Sequence, residues 1–544
     1  MRALSPAARP AWLAAIILAL SMPVWVAAQE TTGAPPPSTA APRPTAPGSQ
    51  NNPSTQAPAG IGAPVQNFPP VGEQHRLPPD STTKQTVALS DRTLAFAATA
   101  GSIRLFSDKG EPEADIAYTA YLLDGTEPGS RPVTFLFNGG PGASSAWLQF
   151  GAAGPWRLTF DGDAARSPDL KPNAETWLDF TDLVFIDPVG TGYSRFVATG
   201  DDVRKRFFSV DGDVAAISVV IRRWLEKTGR LTSPKFVVGE SYGGIRGPRV
   251  IRELVTRQGV GVRGLILVSP ALDFREYSGT SLLQYVASLP TMAAVARETN
   301  GQARELTKDQ AKGQAKGAVT RADMIDVERY AAGDFLLDLV RGQADAEATT
   351  RLADKVAALT GIDQAVSRRL AGRFDIVEFR REFDRRNGKV TGRYDASVTG
   401  LDPNPDSSFY HFDDPSLEPL LAPLTSAAVN LTRSKLNWKP DGSYEVLNND
   451  VNRGWDFGRG LNPAESTTQL RQILALDPTF KLLVTHGLFD LATPYFGSKI
   501  LLDQLPPYAT PDRLRLVVYP GGHMFYSRDA SRRALRTEVQ AMMK

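Results

Sequence analysis

Six short apolar runs, each followed by a loop of small residues, constrain the fold of this chain more than any other feature. They lie at residues 133–137, 183–186, 236–238, 265–268, 482–484 and 514–518. Runs of this length that are apolar on both faces are typical of parallel strands covered by helices on both sides. The loops that follow them contain NGGPG, DPVGTG, GESYGG, SPALD, HGLFD and GGHM. Because function collects at the carboxyl ends of the strands in such sheets, the sequence predicts an α/β fold with its site among these loops.

Two further stretches predict additions to this sheet. Ahead of the first run, apolar and polar residues alternate between turn signals, which indicates hairpin strands. Between about 275 and 430, Thr320 with Asp323 and Thr360 with Asp363 precede apolar helical faces as capping pairs. We therefore expect a mainly helical insertion between two strands, which covers the strand ends as a cap. A separate domain with its own function is the alternative.

The N-terminus has the pattern of an export signal. Arg2 and Arg9 precede a short apolar stretch that ends in small residues at Ala28. This pattern predicts a secretory signal peptide over residues 1–28, cleaved after Ala28, with a retained signal anchor as the alternative. Residues 29–75 are rich in Pro, Ala, Thr, Ser and Gly, and such a composition cannot bury enough apolar surface to fold. We expect a disordered linker there.

Composition excludes several classes of function. The 544 residues include no cysteine, so disulfides, thiolate nucleophiles and cysteine metal sites are impossible. A formal net charge of +2 without a basic stripe argues against nucleic acid as a partner. Four scattered histidines offer no metal cage, and no cofactor is expected. Export without cysteine favours a secreted or periplasmic bacterial protein, with no stable membrane insertion once the signal is cleaved.

The GESYGG loop places Ser241 between glycines, directly after an apolar run and before a helical stretch. Gly239 and Gly243 allow a strained turn and a close approach of the helix to the strand. Strand, sharp turn and helix are the context of a nucleophile elbow. A tight turn that merely contains a serine is the alternative, so the hypothesis needs a base, a carboxylate and an oxyanion hole elsewhere.

Chain order selects the base and the carboxylate. In α/β-hydrolases the triad runs serine, acid, histidine along the chain, and His523 in the GGHM loop fits this order. Asp490, after the KLLVTHG strand, is predicted to accept a hydrogen bond from His523 Nδ1 and fix its tautomer. A structural histidine and a surface aspartate are the alternatives. The remaining histidines lie near the linker's end, in the insertion and ahead of the carboxylate: His75, His411 and His486.

Two backbone N–H groups are predicted to form the oxyanion hole. Tyr242, next to the nucleophile, supplies one of them, and Gly140 in the NGGPGASS loop supplies the other. Glycine lets the main chain approach the developing alkoxide without a clash from a Cβ atom. The serine is therefore interpreted as a nucleophile.

Together these motifs resemble the serine carboxypeptidase family. The resemblance covers roughly residues 85–540 and rests on NGGPGASS, FIDPVGTGYSR, GESYGG, GLFDLATP and GGHM in the family's order. It implies an α/β-hydrolase domain over residues 76–544, with a mostly parallel central sheet flanked by helices and a helical cap. It also implies a triad with two oxyanion donors, namely Ser241, Asp490 and His523 with Gly140 and Tyr242. The implied reaction removes C-terminal residues from peptides with a free C-terminus through an acyl-enzyme.

The same resemblance implies a site for the substrate's terminal carboxylate. Asn138, Gly139 and Glu240 match positions at which family members bind that carboxylate. Glu240 must be protonated to donate a hydrogen bond to it, and burial with like charge favours the neutral acid. Activity toward acidic pH is therefore expected. A buried elbow residue that bonds the backbone is the alternative for Glu240.

Three departures from the family pattern keep other functions open. Ala152 stands where the family has a second glutamic acid, Leu136 where tryptophan is usual, and Ala143 where cysteine is frequent. Loss of the glutamic acid is expected to weaken binding of the substrate's C-terminal carboxylate by about 1–3 kcal/mol. Alternatively, it indicates a substrate with a different leaving group. The alternatives are an esterase or acyltransferase on the same scaffold and an aminopeptidase like proline iminopeptidase, which usually has His where Asn138 stands. A non-catalytic binding protein would have no need of the triad.

Overall fold

The computed structural model describes residues 76–544 with six gaps, at 161–166, 278, 309–317, 409–410, 459–462 and 508–512, and it does not describe the side chains of 301–308. The predicted signal peptide (1–28), the predicted linker (29–75) and His75 lie outside the described residues. In the part of the chain that is described, no helix is both long and apolar enough to cross a bilayer.

A ten-stranded mixed sheet lies at the centre of the described residues. Two further pairs of strands form separate ribbons. In chain order, the strands of the sheet and of the ribbons are β1 (Ser81–Ala88), β2 (Thr93–Phe106), β3 (Pro112–Leu123), β4 (Val133–Phe137), β5 (Trp156–Arg157), β6 (Lys171–Pro172), β7 (Asp182–Ile186), β8 (Arg195–Phe196), β9 (Lys235–Glu240), β10 (Gly264–Val268), β11 (Lys389–Thr391), β12 (Thr399–Leu401), β13 (Lys481–Gly487) and β14 (Leu514–Tyr519). The ribbons pair β5 with β6 and β11 with β12. The sheet order is β1-β2-β3-β7-β4-β9-β10-β13-β14, and β8 also pairs with β3.

All six apolar runs of the sequence form the parallel part of this sheet. Every neighbouring pair from β7 to β14 in the sheet order is parallel. The alternating segments ahead of them form the antiparallel strands β1, β2 and β3. The predicted fold class, a mostly parallel sheet with added hairpin strands, is therefore confirmed.

Helices cover both faces of the sheet. They are α1 (Ala146–Leu148), α2 (Asp201–Phe207), α3 (Val210–Thr228), α4 (Gly243–Thr256), α5 (Leu283–Lys308), α6 (Ile325–Tyr330), α7 (Leu336–Arg341), α8 (Ala346–Thr360), α9 (Gln364–Arg369), α10 (Ile376–Glu382), α11 (Glu418–Asn430), α12 (Asn449–Arg453), α13 (Thr467–Leu476), α14 (Tyr495–Asp503) and α15 (Asp529–Met543). In β9, Val237 faces an apolar cluster with α3 and α4, whereas Val238 faces another with α11 and α15. Because side chains alternate along a strand, both faces must be apolar.

The chain between β10 and β13 forms helices α5 to α13 and the two-stranded ribbon of β11 and β12. An apolar cluster joins helices α5 through α10 to the loop after β13, where Leu488 and Phe489 are fully buried. Thr320 and Asp323 form the predicted capping box. The second predicted pair is wrong, because Thr360 ends α8 and its hydroxyl donates to Val356, while Asp363 alone caps α9.

Candidate active site

Ser241 lies in a sharp turn between β9 and α4. Its φ of 59° lies in the left-handed region, where a residue with a side chain is strained. Its N–H donates to Val268 O at 2.9 Å, and its carbonyl accepts from Ala271 N at 3.0 Å. A Cβ atom on Gly239 would lie only 2.5 Å from Gly243 O, so the turn requires glycine there. The geometry is that of a nucleophile elbow.

Asp490 and His523 are in direct contact and almost completely buried. His523 Nδ1 lies 2.8 Å from Asp490 Oδ2. Asp490 Oδ1 accepts from the N–H groups of Ala492 and Thr493 at 2.8 and 3.1 Å, which fixes the carboxylate. Burial alone would lower the pKa of His523, but the charge and the hydrogen bond of Asp490 raise it above its usual value. Within the described residues His523 Nε2 has no hydrogen-bond partner.

The end of β10 connects the three loops that carry the predicted triad. Val268 O accepts from Ser241 N at 2.9 Å. The next residue, Ser269, donates its hydroxyl to His523 O at 2.7 Å, and its carbonyl accepts from Thr493 Oγ1 at 2.9 Å. Each loop is thereby held to the same strand end by at least one hydrogen bond. The loops of Ser241, Asp490 and His523 therefore have fixed relative positions.

The two predicted oxyanion donors lie on loops that touch each other. A Cβ atom on Gly139 would lie 2.4 Å from Tyr242 N and 2.9 Å from Ser241 Cβ, so the glycine loop packs directly on the elbow. Gly140 has a φ of 98°, which favours glycine. Gly140, Ser241 and Tyr242 line one cavity of about 400 Å³. The predicted nucleophile and both predicted oxyanion donors are therefore residues of one cavity.

Buried charges hold the glycine loop in place. Asp187, from the DPVGTG motif, accepts from the N–H and hydroxyl of Ser145 at 2.8 and 2.7 Å. Arg246 on α4 is completely buried and donates from Nε to Asp213 Oδ2 at 2.6 Å. A second nitrogen of Arg246 donates to the carbonyl oxygen of Asn138. The loop is thus supported from below by an ion pair that the sequence analysis did not identify.

The residues predicted to bind a substrate carboxylate are enclosed by protein. Asn138 Oδ1 accepts from Leu148 N at 3.1 Å, and the Asn138 side chain also hydrogen-bonds to Glu240. Glu240 Oε2 accepts from the hydroxyl of Tyr526 at 2.9 Å. Burial raises the pKa of Glu240 to about 7, although the charge of His523 and these hydrogen bonds oppose the rise. Neither Asn138 nor Glu240 is among the residues that line the cavity of Ser241.

A tyrosine occupies space beside the position of the missing glutamic acid. Ala152 is buried in the helical turn Gln149–Ala153. A Cβ atom on its neighbour Gly151 would lie 2.3 Å from Cε2 of Tyr526, so the ring packs against this turn. The hydroxyl of that ring is the one that reaches Glu240. The elbow carboxyl therefore has a phenol as its partner.

Ser269, Thr493 and Tyr526 support the predicted site residues but were not predicted from the sequence. Thr493 lies within the quoted GLFDLATP segment, and its hydroxyl lies 2.7 Å from Asp490 Oδ2. Ser269 opens the SPALD loop, so position alone could have marked it. Tyr526 follows GGHM closely, but nothing in the sequence pattern indicates that its hydroxyl contacts Glu240.

The other described histidines do not contact Asp490 through a hydrogen bond. His486 is buried in β13 with Nε2 2.9 Å from Ser498 Oγ, and burial lowers its pKa to about 4. His411 is exposed. His523 is thus the histidine that the fold brings to the predicted acid.

The sheet order and the elbow define the α/β-hydrolase fold. Residues 117–330 match the family model described as serine carboxypeptidase. Among related proteins, Serine carboxypeptidase-like 17 of Arabidopsis thaliana is 26% identical over 172 residues, which are 30% of this chain and 38% of that protein. Serine carboxypeptidase-like 5 of the same organism is 29% identical over 147 residues, or 27% and 33% of the two chains. The resemblance to the serine carboxypeptidase family is thereby confirmed, although the chain matches less than half the length of these relatives.

Two solved structures align with this chain at low sequence identity. A prohormone-processing carboxypeptidase from Saccharomyces cerevisiae aligns with 81% of this chain and 90% of its own, at 14% identity and a TM-score of 0.49. A thermophilic esterase from Thermogutta terrifontis aligns with 85% of this chain and 100% of its own, at 13% identity and a TM-score of 0.30.

Proposed function

We propose that this protein is a serine carboxypeptidase that hydrolyses C-terminal residues from peptides. The observation that supports this proposal most is the buried hydrogen bond between His523 Nδ1 and Asp490 Oδ2, on loops tied to the strained turn of Ser241. Such a pair orients an imidazole to act as a general base toward a serine hydroxyl.

In the proposed reaction, Ser241 Oγ attacks the carbonyl carbon of the last peptide bond. His523 Nε2 takes the hydroxyl proton and then donates it to the departing amine. The negative oxygen of the tetrahedral intermediate accepts hydrogen bonds from the N–H groups of Gly140 and Tyr242. Water, activated by His523, then hydrolyses the acyl-enzyme and restores the serine.

The free C-terminal carboxylate is assigned to Asn138, Gly139 and Glu240, as the family resemblance implies. The raised pKa of Glu240, about 7, supports this role because a neutral carboxyl can donate a hydrogen bond at acidic pH. Opening of this enclosed group toward the cavity is part of the proposal. Its carboxyl is close enough for its charge and that of His523 to affect each other.

Peptides blocked at one end test the proposal. The mature protein is incubated at pH 4 to 7 with one peptide that has a free C-terminus and one that has an amidated C-terminus, and products are identified by mass. We expect stepwise loss from the free C-terminus only, and none with Ser241→Ala. Loss from a free N-terminus instead would assign an aminopeptidase. Absence of cleavage together with no labelling of Ser241 by a fluorophosphonate would leave a binding protein.

An esterase or acyltransferase is the second candidate. It is favoured by Ala152 and by the enclosed positions of Asn138 and Glu240, which are absent from the lining of the cavity. Cleavage of neutral esters, without cleavage of any peptide that has a free C-terminus or N-terminus, would support an esterase or acyltransferase.

Export is also proposed from the sequence alone. Residues 1–28 would be removed as a signal peptide and 29–75 would connect to the catalytic domain, which places the enzyme in the periplasm or medium. Mass determination of the mature N-terminus tests this, since a start at Gln29 is expected. A chain that retains Met1 would contradict it.

A further inference from the structure

We propose that the guanidinium of Arg393 binds a carboxylate side chain on a substrate residue that flanks the scissile bond. This inference rests on the proposed hydrolysis at Ser241 and adds a substrate class to it, namely peptides with Asp or Glu at that position. Neither the motifs nor the family resemblance assigns a role to Arg393.

The cavity that contains Ser241 has one charged residue in its lining. Among the described residues that line its volume of about 400 Å³, Arg393 alone is charged at neutral pH. The rest of the lining is aromatic, small or uncharged, such as Phe274, Phe457 and Asn452. An anionic group that enters this cavity therefore meets a single cation and no competing carboxylate.

The guanidinium of Arg393 is not used by the protein itself. Its side chain is exposed, and in the described part of the chain it forms neither a hydrogen bond nor an ion pair. Asp414 accepts from the backbone N–H of Arg393, but its ion pair at 3.3 Å is with Arg380. By contrast, Arg246 forms an ion pair with Asp213 at 2.6 Å. Arg393 is thus available to a ligand.

A second cavity of about 300 Å³ shares Arg393 and Tyr277 with the first. Its lining contains two carboxyl groups, Glu276 and Asp375, and neither forms an ion pair with Arg393. Burial raises the pKa of Glu276 to about 8, so at neutral pH it is mostly uncharged. Asp375 accepts from Glu378 N at the start of α10. The charge of Arg393 is therefore not neutralised from this side.

The backbone of Arg393 is held against the two catalytic loops. Its carbonyl accepts from Leu491 N at 3.0 Å, one residue after Asp490. The carbonyl of Tyr394 accepts from His523 N, and its ring packs edge-on against the imidazole at a centroid distance of 5.2 Å. The backbone from which the guanidinium extends is thus fixed relative to the reacting groups.

The chemistry of guanidinium favours a carboxylate ligand. Its planar fork of donors matches a carboxylate in two parallel hydrogen bonds, which lysine cannot form. A charge-assisted contact of this kind changes affinity by about 10- to 100-fold.

Matched peptides test the proposal on the full mature chain. The kcat/KM values are compared for peptides with Glu or Gln at the last position, and with Glu or Gln at the position before it. We expect Glu to be favoured over Gln by about 10- to 100-fold at one of these positions. Arg393→Gln should bring that ratio close to one, and Arg393→Lys should retain part of it. Arg257→Gln, an exposed arginine outside both cavities, controls for loss of a positive charge.

A binding measurement separates this proposal from the proposed function. Calorimetry compares N-acetylglutamate with N-acetylglutamine on the wild type and on Arg393→Gln, and it needs no peptide cleavage. We expect a preference for N-acetylglutamate that the variant loses, even if no peptide is hydrolysed. Equal affinities in the wild type would overturn the proposal. If Arg393→Gln weakened both ligands equally, Arg393 would hold the terminal carboxylate, and the side-chain assignment would be wrong.

Discussion

The Asp490–His523 pair and the Asn138–Glu240 pair are both buried beside the elbow, but they are held by different kinds of contact. Asp490 is fixed by N–H groups two and three residues further along its own loop. Glu240 accepts one hydrogen bond from Tyr526, which is 286 residues away in the chain, and forms another with Asn138. The comparison teaches that the proposed catalytic acid is organised locally, whereas the proposed carboxylate-binding group depends on distant packing. Substitutions should therefore affect the two regions differently.

The largest effect is expected from Asp490→Asn. An amide would present a donor to His523 Nδ1 and select the wrong tautomer, so kcat should fall about 10,000-fold. Steady-state hydrolysis of a peptide with a free C-terminus measures this. Asp503→Asn, which alters an exposed carboxylate on α14, should leave kcat within about twofold. A loss below tenfold for Asp490→Asn would show that the acid loop is not the catalytic one.

The next effect concerns the support beneath Asn138. Arg246→Met leaves Asp213 buried without its partner and removes a donor to the Asn138 carbonyl, so the free energy of unfolding should fall by about 3–5 kcal/mol. Denaturant titration measures this. The double variant with Asp213→Leu should recover most of the loss, because it removes both buried charges. No recovery would mean that the pair acts through packing alone.

The pH dependence distinguishes the two regions directly. With a pKa of about 7, Glu240 is protonated and able to donate below that pH, and it loses the donor as pH rises through 7. The value of kcat/KM for peptides with a free C-terminus should therefore fall about tenfold per unit on the alkaline side. Glu240→Gln keeps a donor at all pH values, so this alkaline fall should disappear. The fall of kcat/KM on the acidic side should remain in the variant. Hydrolysis requires neutral His523, and its raised pKa means that the imidazole becomes protonated as pH falls.

An unchanged alkaline fall in Glu240→Gln would show that another group controls it. A neutral ester substrate is the control, since it has no terminal carboxylate for Glu240 to bind. Its alkaline profile should be the same in the wild type and the variant.

The smallest effect is expected from Tyr526→Phe. Loss of one hydrogen bond to Glu240 should raise KM for peptides with a free C-terminus about 2- to 10-fold, with little change in kcat. The pKa of Glu240 should also rise, because the phenol hydrogen bond lowers it. Tyr519→Phe is the matched control, since within the described residues that hydroxyl has no hydrogen-bond partner. Equal changes in both variants would contradict a specific role for Tyr526.

The sequence predicted the sheet because each parallel strand must be apolar on both faces, and such runs are visible without alignment. It also indicated which loops meet, since the carboxyl ends of those strands share one edge. The pairing of Thr360 with Asp363 failed because a helix end and the next helix start lie three residues apart there, and the pattern alone does not separate them. The roles assigned to the site residues stay predictions.

Contacts across long stretches of chain could not be predicted. Tyr526 and Arg393 carry no periodic signal, and their neighbours are decided by how helices and loops pack in three dimensions. Ser269 adopts a φ of 46°, in the left-handed region that serine disfavours, and the surrounding structure imposes this conformation. The meeting of the strand-end loops could thus be predicted from the sequence, whereas the contacts of Tyr526 and the position of Arg393 could not.

The ribbon of β11 and β12 carries Arg393 just beyond its first strand, outside every motif on which hydrolysis depends. With the proposed role of Arg393, a change at this one position alters the preferred peptide and leaves the proposed hydrolysis intact. The glycine at 139 has no such freedom, since even a methyl group there would collide with the elbow. We therefore expect substrate preference to vary during evolution of this chain while the reaction stays the same.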